Sequence, residues 1–237
     1  STANRNGRIG IALNGSGSFL DSSETNHNGW RYGPRWDAGG IKMIYDRPAD
    51  NHIIRHTARF NNGRGIWLDT TASGNVVEAS YFEGNSIAAL EFEATQGPNW
   101  AINNVIVGTR LAGMAHVEED GTGIGLREAQ DTYLFHNTIV NVAGAGILIS
   151  GNTRNNGEDL IANTTAINNI VVGSGSAAIR FWVWGDARSE SQVATHRFDN
   201  NLYFNSPSTI IFPDLHGNGV HRWSLEQWRS RRGEDRN

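Results

Sequence analysis

Residues 65–69 read Gly-Ile-Trp-Leu-Asp, and this short apolar signature returns along the chain. It recurs as Gly40-Ile41-Lys42-Met43-Ile44, Ala89-Leu90-Glu91-Phe92-Glu93, Gly123-Ile124-Gly125-Leu126-Arg127 and Gly146-Ile147-Leu148-Ile149-Ser150. Gly10-Ile11-Ala12-Leu13, Ala178-Ile179-Arg180-Phe181 and Thr209-Ile210-Ile211-Phe212 extend the set. The first apolar positions fall at 11, 41, 66, 90, 124, 147, 179 and 210, so the base period is near 24, lengthened in places by insertions. A second column, Thr57, Ser80, Asn104, Asn137, Asn169 and Asn201, moves with the first. A turn of this length, at roughly 3.3 Å per extended residue, gives a perimeter of about 80 Å, enough for three short strands and their bends. The pattern therefore predicts an all-β fold, a parallel β-helix of about 24 residues per coil.

Composition agrees. The chain has 28 glycines, 26 asparagines and only 5 prolines among 237 residues, which disfavours helix and suits a backbone that turns often. Asparagines recurring at one bend, stacked roughly 4.8 Å apart, can bond to one another along the axis as a ladder. His56 replaces the first residue of an Asn-Asn pair and reads as part of it.

With 20 basic and 24 acidic residues, the net charge of −4 offers no basic face for nucleic acid. No run has the length of a membrane span, so neither nucleic acid nor membrane is an expected partner. The absence of cysteine excludes disulfides and thiolate metal sites. No phosphate loop, HExxH or EF-hand pattern occurs, so no cofactor and no metal is expected. Residues 1–237 read as one β-helix domain. The segment 222–237 is expected to form a capping helix with Ser224 as N-cap and Leu225 and Trp228 on one face, the only convincing short helix. Stretches 12–40, 108–123, 150–163 and 182–196 exceed the period and are expected as loops leaving the cylinder, where binding surfaces are usually built.

Strand alternation sends Ile66 and Leu68 inward and Trp67 and Asp69 outward. Across adjacent coils one outward column is Lys42, Trp67, Glu91, Gly125, Leu148 and Arg180. The next is Ile44, Asp69, Glu93, Arg127 and Ser150. Asp69 and Glu93 are one coil apart, which places their carboxyl groups at roughly the 5–5.5 Å of a retaining glycosidase pair. Like charges so close should hold one proton toward neutral pH, giving a nucleophile and an acid. The alternative is an ion network with Arg127. Outward aromatics such as Trp67, Trp36 and Trp100 can form platforms for sugar rings. Lys42 and Glu91 can bind sugar hydroxyls or pair with each other, and Asp37 can serve the site or only its turn. His116, Glu118, Glu119 and Asp120 lie in the 108–123 insertion. His116 is a candidate site residue overhanging the face, and the "HVEED" cluster otherwise reads as solvated loop charge.

These residues carry a resemblance. The coil repeat resembles the right-handed parallel β-helix superfamily of pectin-lyase-like carbohydrate enzymes over nearly the whole chain. More narrowly, "AGGIK" at 38–42, "GIWLD" at 65–69, "EATQGP" at 93–98 and "INN" at 102–104 resemble the core of glycoside hydrolase family 120 β-xylosidases. The resemblance implies Asp69 as nucleophile and Glu93 as acid/base, the pair that the column spacing also selects. It further implies a carbohydrate substrate and an extracellular or periplasmic setting. This chain has "ATQ" where that family has "VNH", and it has no room for that family's inserted β-sandwich. The start without methionine and the C-terminal "SLEQWRSRRGEDRN" imply a piece of a longer chain, so missing chain or a homo-oligomer partner would cover the ends of the coil. The leading expectation is a retaining glycoside hydrolase. Its rivals are a polysaccharide lyase using Lys42, Arg127 and His116, and a non-catalytic glycan-binding β-helix.

Overall fold

The computed structural model describes residues 1–31, 33–34, 38–113, 119–154, 160–216 and 219–236. Its short strands fall into three sheets, with successive strands of the chain visiting the sheets in rotation. The first sheet stacks Ile9–Leu13, Gly39–Met43, Arg64–Asp69, Ala88–Glu93, Thr122–Arg127, Ile147–Gly151, Ile179–Val183 and Ile210–Pro213 in parallel. Val220–Trp223 closes its far edge in antiparallel sense. The second sheet runs from Phe19–Asp21 to Arg197–Asp199, and the third from Glu24–Asn26 to Leu202–Phe204.

The register follows the sequence repeat. Ile11, Ile41, Ile66, Leu90, Ile124, Ile147, Ile179 and Ile210 are successive Cα partners. With Met43, Leu68, Phe92 and Leu126 they fill the lumen, and all but Ile11 are buried. From Ile11 to Ile179 the residue before each member of the register series is glycine or alanine, at the tight entrance to the strand. A Cβ on Gly65 would come within 2.5 Å of the Ala89 carbonyl oxygen of the next coil.

The ladder column contains His56, not Thr57, and runs on through Ser80, Asn104, Asn137, Asn169 and Asn201. Each backbone N–H donates to the side chain one coil on, as in Asn104 to Asn137 Oδ1 at 3.1 Å and Asn137 to Asn169 Oδ1 at 2.9 Å. Thr57 is a surface strand residue one position on, paired with Tyr81. His56 is fully buried between the Ser23 and Thr25 hydroxyls, and burial lowers its pKa to about 4. Two further ladders stand at other corners, Asn28–Asn61–Asn85 and Asn51–Asn75–Asn99.

At the far end, Asn201 donates its backbone and side-chain N–H groups to Asp235 Oδ1, at 3.0 and 2.9 Å. A carboxylate beyond the helix Leu225–Arg232 thus takes the place of the next ladder amide. Ser224 caps that helix in a reciprocal capping box with Gln227, and buried Trp228 packs on Phe181, Phe198 and Phe212. This is not the only helical segment. A 3-10 turn at Gly185–Arg188 and a short helix at Glu190–Val193 occupy the 182–196 stretch. The expected 12–40 loop is mostly coil, since Phe19–Asp21 and Glu24–Asn26 lie within it.

Candidate active site on the outer face of the first sheet

The outer face of the first sheet presents Lys42, Trp67, Glu91 and Gly125 in one register column and Asp69, Glu93, Arg127 and Ser150 in the next. Gly125 lies against two carboxylate side chains. A Cβ there would lie 3.5 Å from Glu91 Cγ and 3.7 Å from Glu119 Cγ.

Most of this face is covered. Glu91 and Glu119 are fully buried, and Lys42, Arg64, Glu93 and Glu128 nearly so. The part that solvent reaches is framed by Asp69, Arg127 and Arg154, with side chains 15%, 31% and 36% exposed. Lys42 Nζ lies 3.0 Å from Asp69 Oδ2. Arg154 Nη2 donates to Glu93 Oε1 at 2.8 Å, and Arg127 Nη1 stands 3.5 Å from the same oxygen. Arg154 also bonds to Glu128. Arg64 donates to Glu91 from both Nε and Nη2.

Trp67 faces outward, as the alternation requires, but is only 4% exposed. The Lys42 ammonium lies 3.4 Å from its ring centroid and the Arg64 guanidinium 3.9 Å, so cations occupy the ring in place of an open sugar platform. Among the described residues its buried indole N–H has no partner. Trp100 lies on the second sheet, stacked on Tyr133, and so does not join this face. Trp36, Asp37 and His116 lie outside the described residues, as does Glu118. Glu119 is a buried member of the cluster and not solvated loop charge.

The proton is also placed differently from expectation. Burial pushes the Glu93 carboxyl up, but the charge of Arg127 and the hydrogen bond from Arg154 outweigh it and hold Glu93 below the usual carboxylate range. Glu93 is therefore ionised here and is not a standing acid. The group pushed up, to about 8, is Glu91: burial and the charges of Glu119 and Glu93 outweigh the pull of Arg64. That direction follows from the surroundings, because one buried guanidinium faces Glu91, Glu119 and Glu93 together. Burial also lowers Lys42 against the pull of Asp69.

Sequence reasoning missed Arg64, Glu128 and Arg154 as members of this cluster. Arg64 immediately precedes the GIWLD signature, and its position at the strand entrance is the one signal that could have selected it. Arg154 arrives from the 150–163 insertion, where no spacing rule applies.

Residues 1–198 match the family model of the right handed beta helix region, and the chain belongs to that family. No curated protein and no solved structure matches the chain. The fold is compatible with glycan-acting enzymes and with glycan binders.

Proposed function

We propose that the protein is a retaining glycoside hydrolase acting on a poly- or oligosaccharide, with a β-xyloside as the first class to test, in an extracellular or periplasmic setting. The observation that carries this reading is the direct register of Asp69 and Glu93 on adjacent strands of an outward face, at the edge that solvent reaches. Asp69, which lies beside the Lys42 ammonium, attacks the anomeric carbon. The glycosidic bond breaks as Glu93 delivers a proton to the leaving oxygen. Glu93 then takes a proton from water, whose oxygen displaces Asp69. Because Arg154 holds Glu93 ionised in the free protein, Glu93 takes up its proton only when Arg154 turns away, and substrate binding is the event that turns it. Arg127 and the buried Glu91–Arg64 pair keep the two carboxylates in place.

One observation favours a second reading. Both carboxylates are already neutralised by cations, which is the arrangement a non-catalytic glycan binder would keep.

Aryl glycosides with good leaving groups separate the roles. Asp69→Asn should lose turnover on every substrate, about a thousandfold or more. Glu93→Gln should retain turnover on the activated aryl glycosides and lose it on natural linkages. Equal turnover by wild type and both variants would reject this assignment.

A further inference from the structure

The corner between the third sheet and the first carries one residue per coil in the left-handed backbone region. In chain order these are Arg5, His27, Phe60, Gly84, Gly108, Asn141 and Gly173, with φ between 53° and 69°. Each backbone N–H donates to a carbonyl one coil on, as in His27 to Arg59 at 2.9 Å and Phe60 to Glu83 at 2.8 Å. The later coils use glycine or asparagine, which adopt this conformation at little cost. The first three place a guanidinium, an imidazole and a phenyl ring there; arginine and phenylalanine disfavour this conformation, whereas histidine adopts it more readily.

Those three side chains line one cleft of about 400 Å³, together with Asn4, Asn26 and Arg59. The His27 and Phe60 rings stack within it, centroids 5.4 Å apart and planes at 20°. Gly84 makes room for the phenyl ring, since a Cβ there would come within 2.6 Å of it. Among the described residues no carboxylate stands within ion-pairing distance of Arg5 or Arg59, although Glu83 is the register partner of Arg59 and Glu24 lies on the neighbouring coil. Asn26 is tied down from both sides: its amide donates to Glu24 and its oxygen accepts from the Arg59 backbone N–H.

We infer that this cleft is a second binding site, for a sugar bearing an oxyanion, either carboxylate or sulfate. Two arginines supply forked donors for the anion, the Asn4 amide, whose oxygen is fixed by the Asn26 backbone N–H, supplies a donor for a hydroxyl, and the stacked rings supply an apolar edge for the sugar ring. Phe60 precedes Arg64 of the other face by four positions, so the cleft lies around one corner from that face. The sugar half of the inference rests on the glycan reading above; the anion half does not.

Calorimetric titration with trigalacturonate, a sulfated disaccharide, xylotriose and sodium sulfate tests it. The expected result is binding of an acidic sugar, weakened by sodium chloride, with Kd raised at least tenfold in Arg5→Gln/Arg59→Gln. Phe60→Gly, which places at this corner the residue used one coil later, should weaken binding while leaving the melting temperature unchanged or higher. Unchanged affinity in the double arginine variant would overturn the site, as would absence of binding by any acidic sugar. Xylotriose bound as tightly as trigalacturonate would overturn the anion half, and sulfate ion bound as tightly as either sugar would overturn the sugar half. Turnover of a neutral aryl glycoside, followed in parallel, should survive in the double arginine variant. Loss of turnover in Asp69→Asn should leave the titration unchanged, so failure of one site is distinguishable from failure of the other.

Discussion

Glu93 stands beside Asp69 in direct register, one coil on, yet the two carboxylates answer to different cations: Asp69 to Lys42 at 3.0 Å, Glu93 to Arg154 at 2.8 Å. Glu93 does not hold the raised proton that a bare carboxylate pair would give one member, because Arg127 and Arg154 lower its pKa. In the proposed reaction Glu93 takes up its proton once Arg154 turns away.

Removing that cation should be visible in the titration of Glu93. Its folded pKa is lowered, so its contribution to stability is present above the ordinary value of 4.5 and is lost as pH falls through the lowered value. Arg154→Gln should raise the Glu93 pKa in a carbon-detected NMR titration and shrink the part of the acid-dependent loss of stability that Glu93 contributes. At pH 7 the variant should be less stable by about 1–2 kcal/mol in urea. An unchanged Glu93 titration would show that Arg154 does not govern it.

Glu91 has the opposite sign. A carboxyl raised to about 8 contributes stability fully present below 4.5 and lost as pH rises toward 8. The wild type should therefore lose stability across that window, and Glu91→Gln should flatten the loss. Glu91→Ala, which strips Arg64 of its buried partner, should be destabilised by about 3 kcal/mol or more. Denaturation series at pH 5 and pH 8 distinguish the two variants.

The ladder predicts a cost inside the coil. Asn137 receives from Asn104 and donates to Asn169 and to the Ala101 carbonyl, all in a fully buried column. Asn137→Ala leaves these groups unpaired and should cost about 2–3 kcal/mol by chemical denaturation. A cost below about 0.5 kcal/mol would remove the ladder from the stabilising features.

The far end of the coil makes an independent prediction. Trp228 is 2% exposed against Phe181, Phe198 and Phe212, and its indole N–H donates to Asp235 Oδ2 at 3.1 Å. Trp228→Ala should cost about 3–5 kcal/mol. Asp235→Ala should cost less, about 1–3 kcal/mol, and expose the Asn201 amide to faster hydrogen exchange.

The coil was legible because its cause is periodic. A lumen that accepts an apolar side chain at the same register position of every coil writes Ile66, Leu90 and Ile124 into the sequence at the spacing the fold imposes. The second column was off by one residue at Thr57, while His56 itself was read correctly as part of the ladder, because a histidine capped by two hydroxyls does the work of an asparagine there. Strand parity correctly turned Trp67 outward but carries no information on what lies above it. That depends on Lys42 and on Arg64, which enters from the corner. The proton on Glu91 was invisible for the same reason: it is set by Glu119 and Arg64, whose approach depends on a corner and an insertion, not on the repeat. The Arg5–His27–Phe60 corner was legible in principle. The sequence places glycine or asparagine at the equivalent bend of later coils, and only the register between coils reveals that these three occupy the same one.

The central claim is hydrolysis by the Asp69–Glu93 pair, and the most direct measurement is incubation with neutral and uronate-containing oligosaccharides, β-xylosides included, in water enriched in heavy oxygen. Products are read by mass, with Asp69→Asn alongside. The account predicts cleavage by the wild type in which each new reducing end carries one heavy oxygen, abolished in the variant. Unsaturated products without added water, or no cleavage of any glycan, would contradict it.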